Sequence, residues 1–139
     1  MVWVILNNGR YVGRPLHEDK SLNPKPIMIL PRDAKPEEIG GNHIAKIRGA
    51  PTAPGFPPVP GDMVFALLVD KDKAERWQFV SVPQHGENRF IIVGNDHKGW
   101  IAPQEEYEPI NYNHLLVIPT DPPRYTPNEV FEIKQVVFD

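Results

Sequence analysis

Val4-Ile5-Leu6-Asn7-Asn8-Gly9-Arg10-Tyr11-Val12 has a counterpart late in the chain, where Ile91-Ile92-Val93 is followed by Lys98-Gly99-Trp100-Ile101. In both places two short apolar runs flank a turn. Asn8-Gly9 is a strong type I′ hairpin signal, because both central residues of that turn need positive φ. Gly94-Asn95-Asp96-His97-Lys98-Gly99 reads as a longer turn of the same kind. The match continues downstream at a constant offset of 88 residues: Pro15 corresponds to Pro103, and Ile27-Met28-Ile29-Leu30-Pro31 to Leu115-Leu116-Val117-Ile118-Pro119.

A middle unit starts at Ile44-Ala45-Lys46-Ile47-Arg48-Gly49 and runs through Val64-Phe65-Ala66-Leu67. It ends in Arg76-Trp77-Gln78-Phe79-Val80, echoed by Val130-Phe131-Glu132-Ile133-Lys134. No stretch sustains a 3.6-residue period, and the apolar runs are short and rich in Val, Ile, Phe and Trp, as strands are. Strands are expected near 2–7, 10–13, 26–30, 43–48, 63–69, 75–82, 89–94, 99–102, 113–118 and 129–137. Such internal repetition predicts an all-β fold of β-trefoil type, about twelve strands in three pseudo-symmetric units that bury their apolar faces against one another. The whole chain, 1–139, then forms one domain with units of about 2–43, 44–88 and 89–139. The first unit's last strand, expected near 33–42, is weak: Pro36-Glu37-Glu38-Ile39-Gly40-Gly41 barely qualifies.

A chain of 139 residues is long enough to bury one core unaided. It has no cysteine, which removes disulfides, a thiol nucleophile and Cys-based zinc sites together. Seventeen prolines recur in clusters between apolar runs, at Pro15, Pro24 and Pro26, Pro54 to Pro60, Pro119 and Pro122-Pro123. Proline fixes φ and donates no backbone hydrogen bond, so these clusters read as stiff loops between strands. Net charge is −3 with mixed signs and no basic stripe, so no nucleic-acid partner is expected. The opening apolar run ends at Leu6 and reads as a strand, not a signal peptide or membrane span, and a cytoplasmic location is expected. The histidines show no metal-ligand spacing, neither Ser21 nor Ser81 sits in a G-x-S-x-G motif, and no cofactor or metal is implied. Trp77, Trp100, Phe65, Phe90 and Phe131 fall in strand patterns and are expected in the core.

Asn7-Asn8-Gly9-Arg10-Tyr11-Val12-Gly13-Arg14-Pro15-Leu16-His17-Glu18-Asp19-Lys20-Ser21-Leu22-Asn23-Pro24-Lys25-Pro26 is similar to the opening of the mushroom serine protease inhibitors, the family of cospin and cnispin. The shared pattern is a Y/F-V-G-R turn, an E-D-(basic)-S-L segment, and P-K-P leading into a strand. Gly49-Ala50-Pro51-Thr52, Ala74-Glu75-Arg76-Trp77 with Gln84-His85-Gly86, and Pro122-Pro123-Arg124-Tyr125-Thr126-Pro127-Asn128-Glu129 also resemble family segments. The resemblance implies a β-trefoil without catalysis that inhibits trypsin-like serine proteases through an exposed loop, and which loop is used differs among members.

A trypsin-like protease takes one Lys or Arg into a deep pocket with an Asp at its base. A substrate-like inhibitor has to present that residue from a loop already held extended, because ordering a loop on binding costs free energy. Lys20-Ser21 lies midway along a loop flanked by Pro15, Pro24 and Pro26. The resemblance makes Lys20 the specificity residue (P1), with Ser21 after the presented bond and Asp19 and Leu22 beside them. At the 88-residue offset this pair faces Glu108-Pro109, so no architectural need for a basic residue is evident there. Arg124, with Tyr125, in the loop from Thr120 to Pro127 is the second candidate, since other members use a basic residue in that loop. The expected partner is a trypsin-like serine protease, met by a monomer; no membrane is involved.

Two other readings compete. A β-trefoil also carries sugar-binding lectins, whose ricin-type repeats usually end in Gln-x-Trp; this chain has no such triplet. Pro60-Gly61-Asp62-Met63-Val64 followed by Trp77 suggests an SH3-like module, which would leave the 88-residue repeat unexplained.

Overall fold

The computed structural model describes residues 2–15, 17–34, 45–47, 50–56 and 59–136. Most of the weak strand expected near 33–42, residues 35–42, lies outside these, as do parts of the strands expected at 43–48 and 129–137. The described residues form strands β1 (Val2–Asn7), β2 (Arg10–Gly13), β3 (Lys25–Pro26), β4 (Met28–Ile29), β5 (Lys46–Ile47), β6 (Ala50–Pro54) and β7 (Val64–Ala66). After these come β8 (Gln78–Ser81), β9 (Arg89–Val93), β10 (Lys98–Ile101), β11 (Asn111–His114), β12 (Val117–Ile118), β13 (Arg124–Tyr125) and β14 (Phe131–Val136). Short 3-10 turns at 71–73, 83–85 and 127–129 are the sole helical segments among the described residues.

An eight-stranded sheet runs β11-β10-β9-β14-β1-β2-β4, with β8 also paired to β9; a four-stranded sheet runs β3-β7-β6-β5, and β12 pairs with β13 alone. Every pairing is antiparallel, and the fold is the all-β β-trefoil. The first hairpin turns at Asn8 (φ 51°) and Gly9 (φ 78°), the two positive angles that a type I′ turn requires. β1 is paired along both edges, with β14 and β2, and Val4, Ile5, Leu6 and Asn7 are buried in succession without alternation.

The core gathers one or two side chains from most strands, among them Ile5, Val12, Ile29, Ile47, Val64 and Ile92, together with Ile110 just ahead of β11. A run of edge-to-face rings passes through it: Trp77 meets Tyr112 at 5.6 Å and Trp100 at 5.3 Å, and Trp100 meets Phe131 at 6.0 Å. Edge-to-face pairs add to what burial alone contributes, because ring edges are positive and faces negative. Phe65 is also buried, whereas Phe90 is half-buried on the rim.

Three sequence expectations are corrected. The strand expected at 26–30 is two short strands that serve different sheets. β3 pairs with β7 and β4 with β2, and buried Ile27 bridges them, donating to Val64 O and accepting from Ile110 N. The strand expected at 113–118 is likewise divided between β11 and β12.

The 88-residue offset does not carry through to the strand partners. Val12 pairs with Ile29 in the first hairpin strand, but Trp100 pairs with Tyr112. The structural partner of Ile27–Leu30 is therefore the segment around Tyr112, and Leu116, Val117 and Ile118 stand exposed. Glu108 accepts a hydrogen bond from Ile29 N at 3.2 Å and Pro109 bridges Met28, so these residues line β4 and form no counterpart to Lys20-Ser21.

Candidate functional site

The loop that leaves β2 and returns at β3 connects two sheets, and both of its ends are fastened by buried cations. At the entry, Arg14 is 8% exposed; its guanidinium donates to both carboxylate oxygens of Glu18, at 3.0 and 2.7 Å, and to Ile47 O at 3.5 Å. The two-pronged geometry fixes direction as well as distance, which a lysine at this position would not do. At the exit, Lys25 is 3% exposed in β3, where its backbone is paired with Ala66. Its ammonium turns under the loop and donates to Asp19 O (3.2 Å), to Asp19 Oδ1, and to Ser21 Oγ (3.2 Å).

The loop's crest is braced locally as well. Asp19 Oδ1 accepts from Ser21 N at 2.9 Å and from the Ser21 hydroxyl, and Ser21 Oγ accepts from Asn23 N at 3.3 Å. These are the side-chain-to-backbone turns that Asp and Ser make two residues ahead. The bond to Lys25, with those from the Ser21 hydroxyl and N–H, holds the Asp19 carboxyl down at about 2.

Lys20 and Leu22 point away from this network. Lys20 is exposed and makes no hydrogen bond or ion pair with the described residues, and Leu22 is 69% exposed. The structure thus divides the four predicted residues: Asp19 and Ser21 hold the loop, while Lys20 and Leu22 face solvent. Sequence reasoning missed the roles of Arg14, Glu18 and Lys25. Opposite charges four residues apart at Arg14 and Glu18 were the available signal for the first pair.

Arg124 and Tyr125 occupy a separate place, on the isolated β12–β13 hairpin. Arg124 is exposed and pairs with Ile118; Tyr125 is half-buried against the small cluster of Val82, Ile91 and Val130. The 83–85 turn grips the strand's other edge, with Gln84 Nε2 donating to Pro123 O at 2.6 Å and Tyr125 N donating to His85 Nε2 at 3.0 Å. No hydrogen bond links this hairpin to the Lys20 loop among the described residues.

The comparisons with known proteins place this β-trefoil among the peptidase inhibitors, proteins that block proteolytic enzymes and catalyse nothing themselves. Residues 2–135 match the family described as peptidase inhibitor I66, and the chain belongs to that family. It is 43% identical over 137 residues to a serine protease inhibitor of Lentinula edodes, covering 94% of this chain and 93% of that protein. The fold superposes on a proteinase inhibitor from Coprinopsis cinerea with a TM-score of 0.82 at 34% identity, covering 96% of each chain.

Proposed function

We propose that this protein inhibits trypsin-like serine proteases, acts as a monomer, and offers Lys20 to the enzyme as a substrate-like P1 residue. One observation carries the reading: Lys20 has no partner among the described residues, while its two neighbours, Asp19 and Ser21, are both tied to buried Lys25. The side chain is free to enter an acidic pocket and the backbone around it is already ordered, so little conformational freedom is lost on binding. Residues 17–24 belong to no strand, so the main-chain groups of the loop that are not already held by Asp19, Ser21 and Lys25 remain for contact with an enzyme. Leu22 supplies an exposed apolar contact beyond the presented bond.

Arg124 supports a second, weaker reading. It too is exposed between two tethers, at Pro123 and Tyr125. Its strand, however, is engaged on one edge by β12 and on the other by the 83–85 turn, so fewer backbone groups remain for an enzyme.

Titration of trypsin with the purified protein tests the proposal. Loss of a central anchor typically costs about 2 kcal/mol or more, so Lys20→Ala weakens inhibition by about thirtyfold at 1.4 kcal/mol per tenfold. Lys20→Arg keeps it. An untouched trypsin beside a blocked papain-like protease would overturn the target class.

A further inference from the structure

Lys25 differs from the other lysines among the described residues in being buried, with its side chain 4% exposed. A buried ammonium is costly unless it is paired and hydrogen-bonded. Here every acceptor that satisfies it, among the described residues, belongs to Asp19 or Ser21, the residues on either side of Lys20. The Asp19 carboxylate adds a bond from Ser21 N across the same position, so the Lys20–Ser21 peptide bond is spanned by side chains anchored to β3.

We propose that Lys25 is the positioning residue that makes this loop an inhibitor and prevents it from being consumed as a substrate. The inference rests on Lys20 being the residue that enters the protease. When the protease serine attacks the Lys20 carbonyl carbon, a new ester forms between the serine Oγ and Lys20, and the C–N bond to Ser21 breaks. The serine's proton passes through the protease histidine to Ser21 N, which leaves as an amine. In an ordinary substrate that amine diffuses away and water takes its place. In this loop Ser21 is retained: its hydroxyl accepts from Lys25, and its nitrogen stays against the Asp19 carboxylate that Lys25 also holds. The amine therefore remains within reach of the ester, returns to the Lys20 carbonyl, expels the serine and restores the original bond. Entry of hydrolytic water is obstructed by the same retention.

The test compares the wild type with Lys25→Met, a side chain of similar length without the ammonium, and with Asp19→Ala, which cuts the same tie from the exposed side. Each is incubated with a catalytic amount of trypsin while protease activity and the mass of the chain are followed. The expected result is lasting inhibition by the wild type, and temporary inhibition by both variants. In the variants, chains are cut at the single bond Lys20–Ser21, at least about tenfold faster than in the wild type. Cutting after many Lys and Arg residues in both variants would mean general unfolding and would overturn the positioning role. So would variants that inhibit as durably as the wild type. A wild type that leaves trypsin fully active overturns the reading of Lys20 itself, a failure that shows in the wild type alone.

Discussion

Trp77 donates its indole N–H to the hydroxyl of Thr52 at 2.9 Å, in the middle of the core, and the Thr52 hydroxyl in turn donates a hydrogen bond to Ala45 O at 2.7 Å. Neither Trp77 nor Thr52 has measurable exposure. A single hydroxyl thus satisfies two buried groups that water cannot reach. Thr52→Val keeps the shape and removes the oxygen. Each buried group left unpaired costs roughly 1–3 kcal/mol, so the variant is expected to lose about 2 kcal/mol or more of unfolding free energy. Thr52→Ser, which retains the hydroxyl, loses less. Urea denaturation of the three proteins checks the order.

Exchange of the two exposed basic residues separates the candidate loops. Arg124→Ala is expected to leave trypsin inhibition within about twofold of the wild type, because its strand is engaged on both edges. Should Arg124→Ala abolish inhibition while Lys20→Ala preserves it, the reactive site belongs to the β12–β13 hairpin.

His85 makes that hairpin sensitive to acid. Its Nε2 accepts from Tyr125 N, which demands a neutral ring unprotonated at that atom. Burial, and then the nearby Arg124 charge, push the imidazole below its ordinary 6.5. Arg89 and Glu132, which pair with each other at 2.8 Å, line the same hollow as His85. A group whose folded value is depressed contributes stability that is complete above its unfolded value and lost as pH falls through the folded one. The protection factor of the Tyr125 amide, its exchange rate corrected for the intrinsic dependence on pH, is therefore expected to be high at pH 7 and to fall on acidification below about 6.5. His85→Phe removes the pH dependence.

The Lys20 loop responds to acid in another range. The Asp19 carboxyl sits at about 2 against an ordinary 3.8, so its contribution is complete above 3.8 and fades as pH falls through 2. Protection of the Ser21 amide is expected to persist at pH 3 and to fall near pH 2. A carboxyl of Asp19 titrating near 3.8 by NMR would contradict the network.

Much of the fold is legible in the amino-acid sequence, and the reasons are local. Asn8-Gly9 encodes its own turn, and in β1 before it Val4, Ile5 and Leu6 are all buried, so they read as an unbroken apolar run. The failures share a cause. Leu115–Pro119 is as apolar as Ile27–Pro31, but composition does not say which run is covered. The true partner, Asn111–His114, buries Tyr112 alone and has almost no apolar signature. β6 carries Pro51 and Pro54, which argue against a strand, yet it pairs with both β5 and β7. At the site, Lys20 is visible as a basic residue among prolines. The tie beneath it is not, because nothing in Pro24-Lys25-Pro26 reveals that the ammonium turns inward and under the chain.

In the loop, gripping and displaying fall to different side chains. Among the described residues, the side chains of Asp19, Ser21 and Lys25 make the hydrogen bonds that brace the crest, and that of Lys20 makes none. With Lys20 as the residue that enters the protease, as proposed above, the tip is interchangeable: a change at that one position would alter which enzyme is met and leave the hydrogen bonds beneath it intact. Lys20→Leu or Lys20→Phe would redirect the same scaffold toward proteases with apolar pockets. Under that reading, a lineage carrying this loop follows a shifting set of proteases by substituting one residue, with the rest of the chain held constant by the demands of its core.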